Sequence, residues 1–125
     1  MNRKNYPSFE VAISLGLTAL FLPSCVYEKM EDAECPSGGT TLTYENFGQD
    51  FFAKYCNYCH GASVEDRQSA PPAYVFDTEA QVEKWAERIY IRAAGRNETM
   101  PPGPDDPPRE ERDKLAEWLV CTYGD

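Results

Sequence analysis

Residues 56–60 read Cys-Asn-Tyr-Cys-His. Two cysteines three apart with a histidine directly after them have the spacing that attaches a c-type haem. The chemistry sets that spacing. Two thiols must reach the two vinyl groups of one porphyrin, and one helical turn presents both on the same side. The adjoining imidazole then lies under the ring and gives a nitrogen to iron. On this reading Cys56 and Cys59 become the two thioethers of haem c, and His60 is one axial ligand of the iron.

The other axial ligand is found by elimination. His60 is the single histidine, so neither a bis-histidine haem nor a zinc site needing two histidines can form within the chain. Of the three methionines, Met1 leaves with a leader and Met30 sits in a tether, which leaves Met100 in the run Met100-Pro101-Pro102-Gly103-Pro104. A proline-rich loop presents a thioether without methionine's usual flexibility, and His/Met ligation raises the reduction potential of haem. The alternative for Met100 is a residue that fills a gap in the core.

These residues need elements to hold them. The spacing predicts a first helix from near Thr43 or Asn46 into the motif, with Phe47, Phe51, Phe52 and Tyr55 as its apolar stripe. Asn46 and Gln49 are spaced as a capping box. Gly48 costs about 1 kcal/mol relative to alanine inside such a helix, which implies that another element packs closely on its backbone. Residues 61–76, broken by Pro71 and Pro72, show no helical period, and wrapping a cofactor is one task for so long a loop. A second helix is expected after Asp77 or Thr78, with Thr78 and Gln81 as its capping box. Val82, Trp85, Ala86, Ile89 and Ala93 form its buried face, and Gly95 is its stop. A third is expected from Asp106, with Pro107 or Pro108 in its first turn and Leu115, Trp118 and Leu119 buried. No strand, repeat or second domain is legible, so the class is all-α.

The front of the chain reads as an export signal at residues 1–24. Arg3 and Lys4 precede a run of twelve apolar residues from Val11 to Leu22, too short for a bilayer span of about 20 residues. A buried core helix is the other reading of that run. Leu22-Pro23-Ser24-Cys25 resembles a bacterial lipobox, in which Cys25 would be lipidated and hold the protein at a membrane surface. Pro23 departs from that pattern, and ordinary secretion with Cys25 free or disulfide-bonded is the alternative. Residues 25–42 are then expected to be a lipid-anchored tether, and residues 43–125 the domain. Such a signal implies exposure to a periplasmic, oxidising compartment.

The balance of charge excludes one class of partner. With 21 Asp and Glu against 12 Lys and Arg, the net charge is -9, whereas binding nucleic acid needs a basic face. Redox proteins with a basic docking face suit the acidic surface better. So small a domain has a marginal core of its own and is expected to be stapled.

From Thr43 to the C-terminus the chain resembles a class I cytochrome c. Gly48 and Phe52 resemble the glycine and aromatic that let the N-terminal helix cross the C-terminal one, where Leu115 and Trp118 resemble their partners. Met100-Pro101 resembles the distal ligand loop. Pro72 resembles the proline whose carbonyl accepts a hydrogen bond from the ligand imidazole, with Pro71 a near alternative. The resemblance implies three main helices and long loops wrapped around one covalently bound haem. If the first and last helices cross in that way, Cys35 lies within reach of Cys121, and an oxidising compartment favours a disulfide between them. Two separate thiols are the alternative.

The function this implies is not enzymatic. With His60 and Met100 both on iron, a monomeric, monohaem protein has no open coordination position and passes single electrons. Were Met100 absent from the iron, a gas or peroxide could bind there. A haem-free reading makes Cys56 and Cys59 a thiol–disulfide pair, or groups them with Cys35 and Cys121 around zinc.

Overall fold

The computed structural model describes residues 27–124, and the leader expected at 1–24 and Cys25 lie outside that range. Among the described residues there are helices and no strand: α1 (Gln49–Tyr55), α2 (Asn57–His60), α3 (Glu79–Lys84), α4 (Ala86–Ala93) and α5 (Arg109–Tyr123). None is long and apolar enough to cross a membrane.

The first helical segment starts a turn earlier than its expected capping box. Thr43 is extended, its hydroxyl accepts from the Asn46 N–H at 3.2 Å, and the Asn46 side chain accepts from the Thr43 N–H at 2.8 Å. The box is therefore Thr43 with Asn46 in place of Asn46 with Gln49. Residues Tyr44–Gly48 wind as a π-helical turn that leads into α1. A Cβ on Gly48 would lie 2.8 Å from the indole of Trp118 and 3.0 Å from the ring of Tyr44. The close approach inferred from Gly48 is thus made by α5. Phe52, Leu115, Trp118 and Leu119 are fully buried around this crossing, with Phe52 edge-on to Trp118 at 6.3 Å. Burying each such side chain contributes about 1.5–3 kcal/mol.

The Thr78–Gln81 capping box opens α3 with both of its hydrogen bonds. The second helix expected there is divided at Trp85 (φ -116°, ψ 14°), whose ring packs on Tyr74 at 4.5 Å. Gly95, at φ +57°, then turns the chain so that its N–H reaches the Arg112 carbonyl at 2.9 Å. The last helix begins at Arg109 rather than Asp106, with Pro108 at its N-cap in extended conformation. The reason is local: Asp106 and Pro107 each precede a proline, which pushes both away from helical angles.

Residues 27–42 were expected to be a tether but pack on the domain. Met30 is buried among the core residues. Asn97 accepts the Glu28 N–H at 3.0 Å and donates to the Glu28 carbonyl at 2.8 Å. Thr40 donates to Glu117 at 2.7 Å, and Cys35 is bonded to Cys121. An apolar side chain, satisfied backbone groups and a covalent bond together make this stretch a strap across α4 and α5.

Candidate haem site

The Cys-Asn-Tyr-Cys-His motif occupies a turn of its own. Cys56 donates its N–H to the Phe52 carbonyl at 2.9 Å and so ends α1. Its φ of -118° offsets α2 from α1, and its carbonyl accepts the N–H groups of Cys59 (3.1 Å) and His60 (3.0 Å). Cys56, Cys59 and His60 therefore stand on one tight turn, as bridging a single porphyrin requires. Both thiols are unbonded and partly buried. Burial pushes the Cys56 thiol up to about 12, whereas a thiol-exchange cysteine needs the opposite shift. The zinc alternative fails differently, because the Cys35–Cys121 bond consumes two of its four thiols.

His60 is oriented through its Nδ1, which lies 2.9 Å from the Tyr74 carbonyl oxygen. A carbonyl only accepts, so Nδ1 carries the proton and Nε2 keeps the lone pair that can bind a metal. Phe76 stacks on the imidazole with centroids 4.7 Å apart, and its N–H donates to the His60 carbonyl at 3.2 Å. The acceptor is neither Pro72 nor Pro71. The Tyr74 N–H bonds the Pro71 carbonyl at 3.1 Å, which closes a turn, leaves Pro72 exposed and gives the Tyr74 carbonyl to the imidazole.

Arg67 holds the loop that makes this possible. Its guanidinium donates to the carbonyls of Gly61 (2.8 Å), Tyr74 (2.8 Å), Pro71 (3.3 Å) and Ala70 (3.4 Å). Sequence reasoning passed over it. The available signal was that Arg67 is the only basic residue between His60 and Lys84.

Met100 lies on the other loop, 94–108, with both backbone groups tied. Its N–H donates to the Arg92 carbonyl at 2.8 Å and its carbonyl accepts from Arg112 at 2.7 Å. The residue is 38 % exposed, so it is not filling a gap in the core. Arg112 is itself 3 % exposed and also donates to the carbonyls of Ala93 (2.9 Å), Asn97 (3.3 Å) and Pro107 (3.2 Å). Here too a signal existed. Arg112 is a cation three residues before Leu115, on the buried stripe of α5.

The donor set fits a c-type haem. Two unpaired thiols and an imidazole with a free Nε2 share one turn, and a pinned loop presents a thioether outside the core. A family model described as cytochrome c oxidase, cbb3-type, subunit III matches residues 46–119. That match runs from the first helical segment through the motif and both loops into α5, more than half of the chain. No curated protein and no solved structure gave a significant match. The chain therefore belongs to this family of c-type cytochrome domains, a haem electron-transfer protein whose haem iron group is held covalently through two thioethers.

Proposed function

We propose that the chain is a monohaem carrier of single electrons, working outside the cytoplasm, with His60 and Met100 as the axial pair and Cys56 and Cys59 as the thioether residues. The haem would supply the ferric/ferrous couple, and the protein's part is to fix its ligands. The observation that carries this reading is the way both candidate ligands are fixed from behind. His60 is oriented by the Tyr74 carbonyl, and Met100 is anchored by Arg92 and Arg112 through its own backbone. Ligands held in this way need little rearrangement when iron changes oxidation state. Closed coordination on both faces is what separates a relay from a gas- or peroxide-binding haem.

Visible spectroscopy tests the axial pair. Oxidised wild-type protein is expected to show the weak red band of a methionine–ferric contact, and Met100→Ala to lose it while haem stays attached. A wild-type protein without that band, binding added cyanide or peroxide rapidly, would overturn the reading in favour of ligand binding.

The family description names an oxidase subunit, which fits a partner that accepts or supplies electrons one at a time. The acidic charge of the chain favours a basic docking face on that partner. Export and lipidation at Cys25 rest on the N-terminal sequence. Mass spectrometry of the mature N-terminus tests them, and an unmodified Cys25 would remove the anchor. Only residues 26 and 27 separate Cys25 from Glu28, which is fixed on Asn97. An anchor at Cys25 would thus hold the domain within about 10 Å of the acyl chains at full extension.

A further inference from the structure

We propose that Arg67 is a positioning residue for His60 and raises the reduction potential through the one carbonyl that both side chains share. The proposal rests on the reading of His60 as an axial ligand. The Tyr74 carbonyl oxygen takes two donors, His60 Nδ1 at 2.9 Å and Arg67 Nη2 at 2.8 Å. Its two lone pairs allow both.

The two bonds are not independent. A guanidinium donor is charge-assisted and makes the stronger bond, so it draws electron density from the oxygen and leaves a poorer acceptor for the imidazole N–H. A ligating histidine ordinarily gains basicity from the acceptor at its other nitrogen. Arg67 limits that gain, and a less electron-rich imidazole favours ferrous iron. The charge acts in the same direction, since a cation near the ligand disfavours the additional positive charge of the ferric state.

Three further observations make the effect specific to this residue. Arg67 is half-buried, so solvent screens it incompletely. Among the described residues it forms no ion pair that would neutralise it. The carbonyls of Gly61, Ala70 and Pro71 hold the guanidinium in place, and Gly61 directly follows the ligand. A loop clamp alone would need no contact with the histidine's own acceptor.

The test compares wild-type, Arg67→Lys and Arg67→Gln proteins carrying haem. A haem stain on a denaturing gel and the visible spectrum of the wild type come first. Failure there refutes the haem reading and not the role of Arg67. Equilibrium redox titration against a fixed mediator is then read alongside the proton shift of His60 Nδ1 in the reduced, diamagnetic protein. In Arg67→Gln the reduction equilibrium is expected to fall by about threefold to tenfold, tenfold being 59 mV for one electron. The Nδ1 proton should move downfield as its bond strengthens. Arg67→Lys keeps the charge without the fork, so it should fall between the two on both measurements. If Arg67→Gln does not mature, Arg67→Lys decides alone through a lowered potential and a downfield proton. A series with unchanged potential and an unmoved proton would overturn the proposal. So would a lysine variant that drops as far as glutamine while its Nδ1 proton is lost to exchange, the result expected of a purely structural clamp.

Discussion

The two loops that flank the site are held in opposite ways. Arg67 lies within the first loop, and the four carbonyls it binds are three to seven residues away. The second loop is held from outside. Arg112 reaches it from α5, across as many as 15 residues, and Glu28 ties Arg96 and Asn97 from 68 and 69 residues away. The covalent link on that side, Cys35 to Cys121, closes a separation of 86. Closing a short loop costs little chain entropy, whereas a long-range contact requires the framework to be in place first. With His60 and Met100 as the proposed axial pair, the histidine side of the haem would be a local structure and the methionine side a global one. Partial unfolding should then release Met100 while His60 stays oriented.

The largest expected effect comes from the longest link. Opening Cys35–Cys121, as Cys35→Ser with Cys121→Ser, should destabilise by about 4–5 kcal/mol in the chain-entropy model for a loop of that length. In a denaturant titration the red methionine band should then vanish at a lower concentration than the change in the main haem band. Simultaneous loss of both would break the local-versus-global distinction.

Arg112 ranks next. Replacing it with methionine leaves the carbonyls of Ala93, Asn97, Met100 and Pro107 without their donor, and each lost bond of this kind costs about 1–3 kcal/mol. An opposing term reduces the sum. The guanidinium is buried, and among the described residues its one ion-pair partner is Asp106 at 3.9 Å, so removing it also relieves desolvation. The net expectation is a loss of about 2–3 kcal/mol in thermal or denaturant unfolding, with the methionine band weakened in the native state. Arg67→Gln should cost about 1 kcal/mol and leave that band intact.

What the sequence made legible divides along the same line. Features carried by a few adjacent residues could be read directly. These are the cysteine–histidine turn, the Thr78–Gln81 box, the proline loop around Met100, and Gly48 as a site of close approach. Features whose partners are backbone carbonyls could not, since a carbonyl has no sequence identity and its position depends on the finished fold. Arg67 and Arg112 belong to this class, as does Tyr74 in the place expected of Pro72. The strap at 27–42 was hidden because polar, glycine-containing composition resembles a linker until its contacts with Asn97 and Glu117 are known. The alignment of Gly48 with Trp118 needed the resemblance to a cytochrome, because helical periodicity gives the faces of two helices but not their mutual register.

Gly48→Ala tests the frame common to both loops. Its new Cβ would meet Trp118 at 2.8 Å and Tyr44 at 3.0 Å, an overpacking cost of about 1–3 kcal/mol. A gain of up to about 1 kcal/mol in helix propensity offsets part of it. A net loss of about 1 kcal/mol should lower both transitions together and leave the gap between them unchanged. A wider gap would mean that the crossing supports one loop in particular.

The smallest effect isolates the long-range hold on the second loop. A hydrogen bond from Arg96 holds the Glu28 carboxyl below its ordinary value, with the nearby guanidinium charge adding to the shift. A carboxylate with a depressed folded value contributes stability above its unfolded value and loses it as pH falls through the folded one. Acidification should therefore loosen the strap from the 94–108 loop and advance the release of Met100, without disturbing His60. Solvent exposure of the pair limits the contribution to about 0.5 kcal/mol. Other carboxylates titrate over the same range, so the quantity to measure is the difference between wild type and Glu28→Gln in the midpoint of the methionine band. That difference should be present at neutral pH and close as Glu28 protonates in the wild type. The backbone bonds between Glu28 and Asn97 do not depend on charge and should keep the strap docked in the variant. A difference that persists unchanged into acid would assign the hold to those backbone bonds alone.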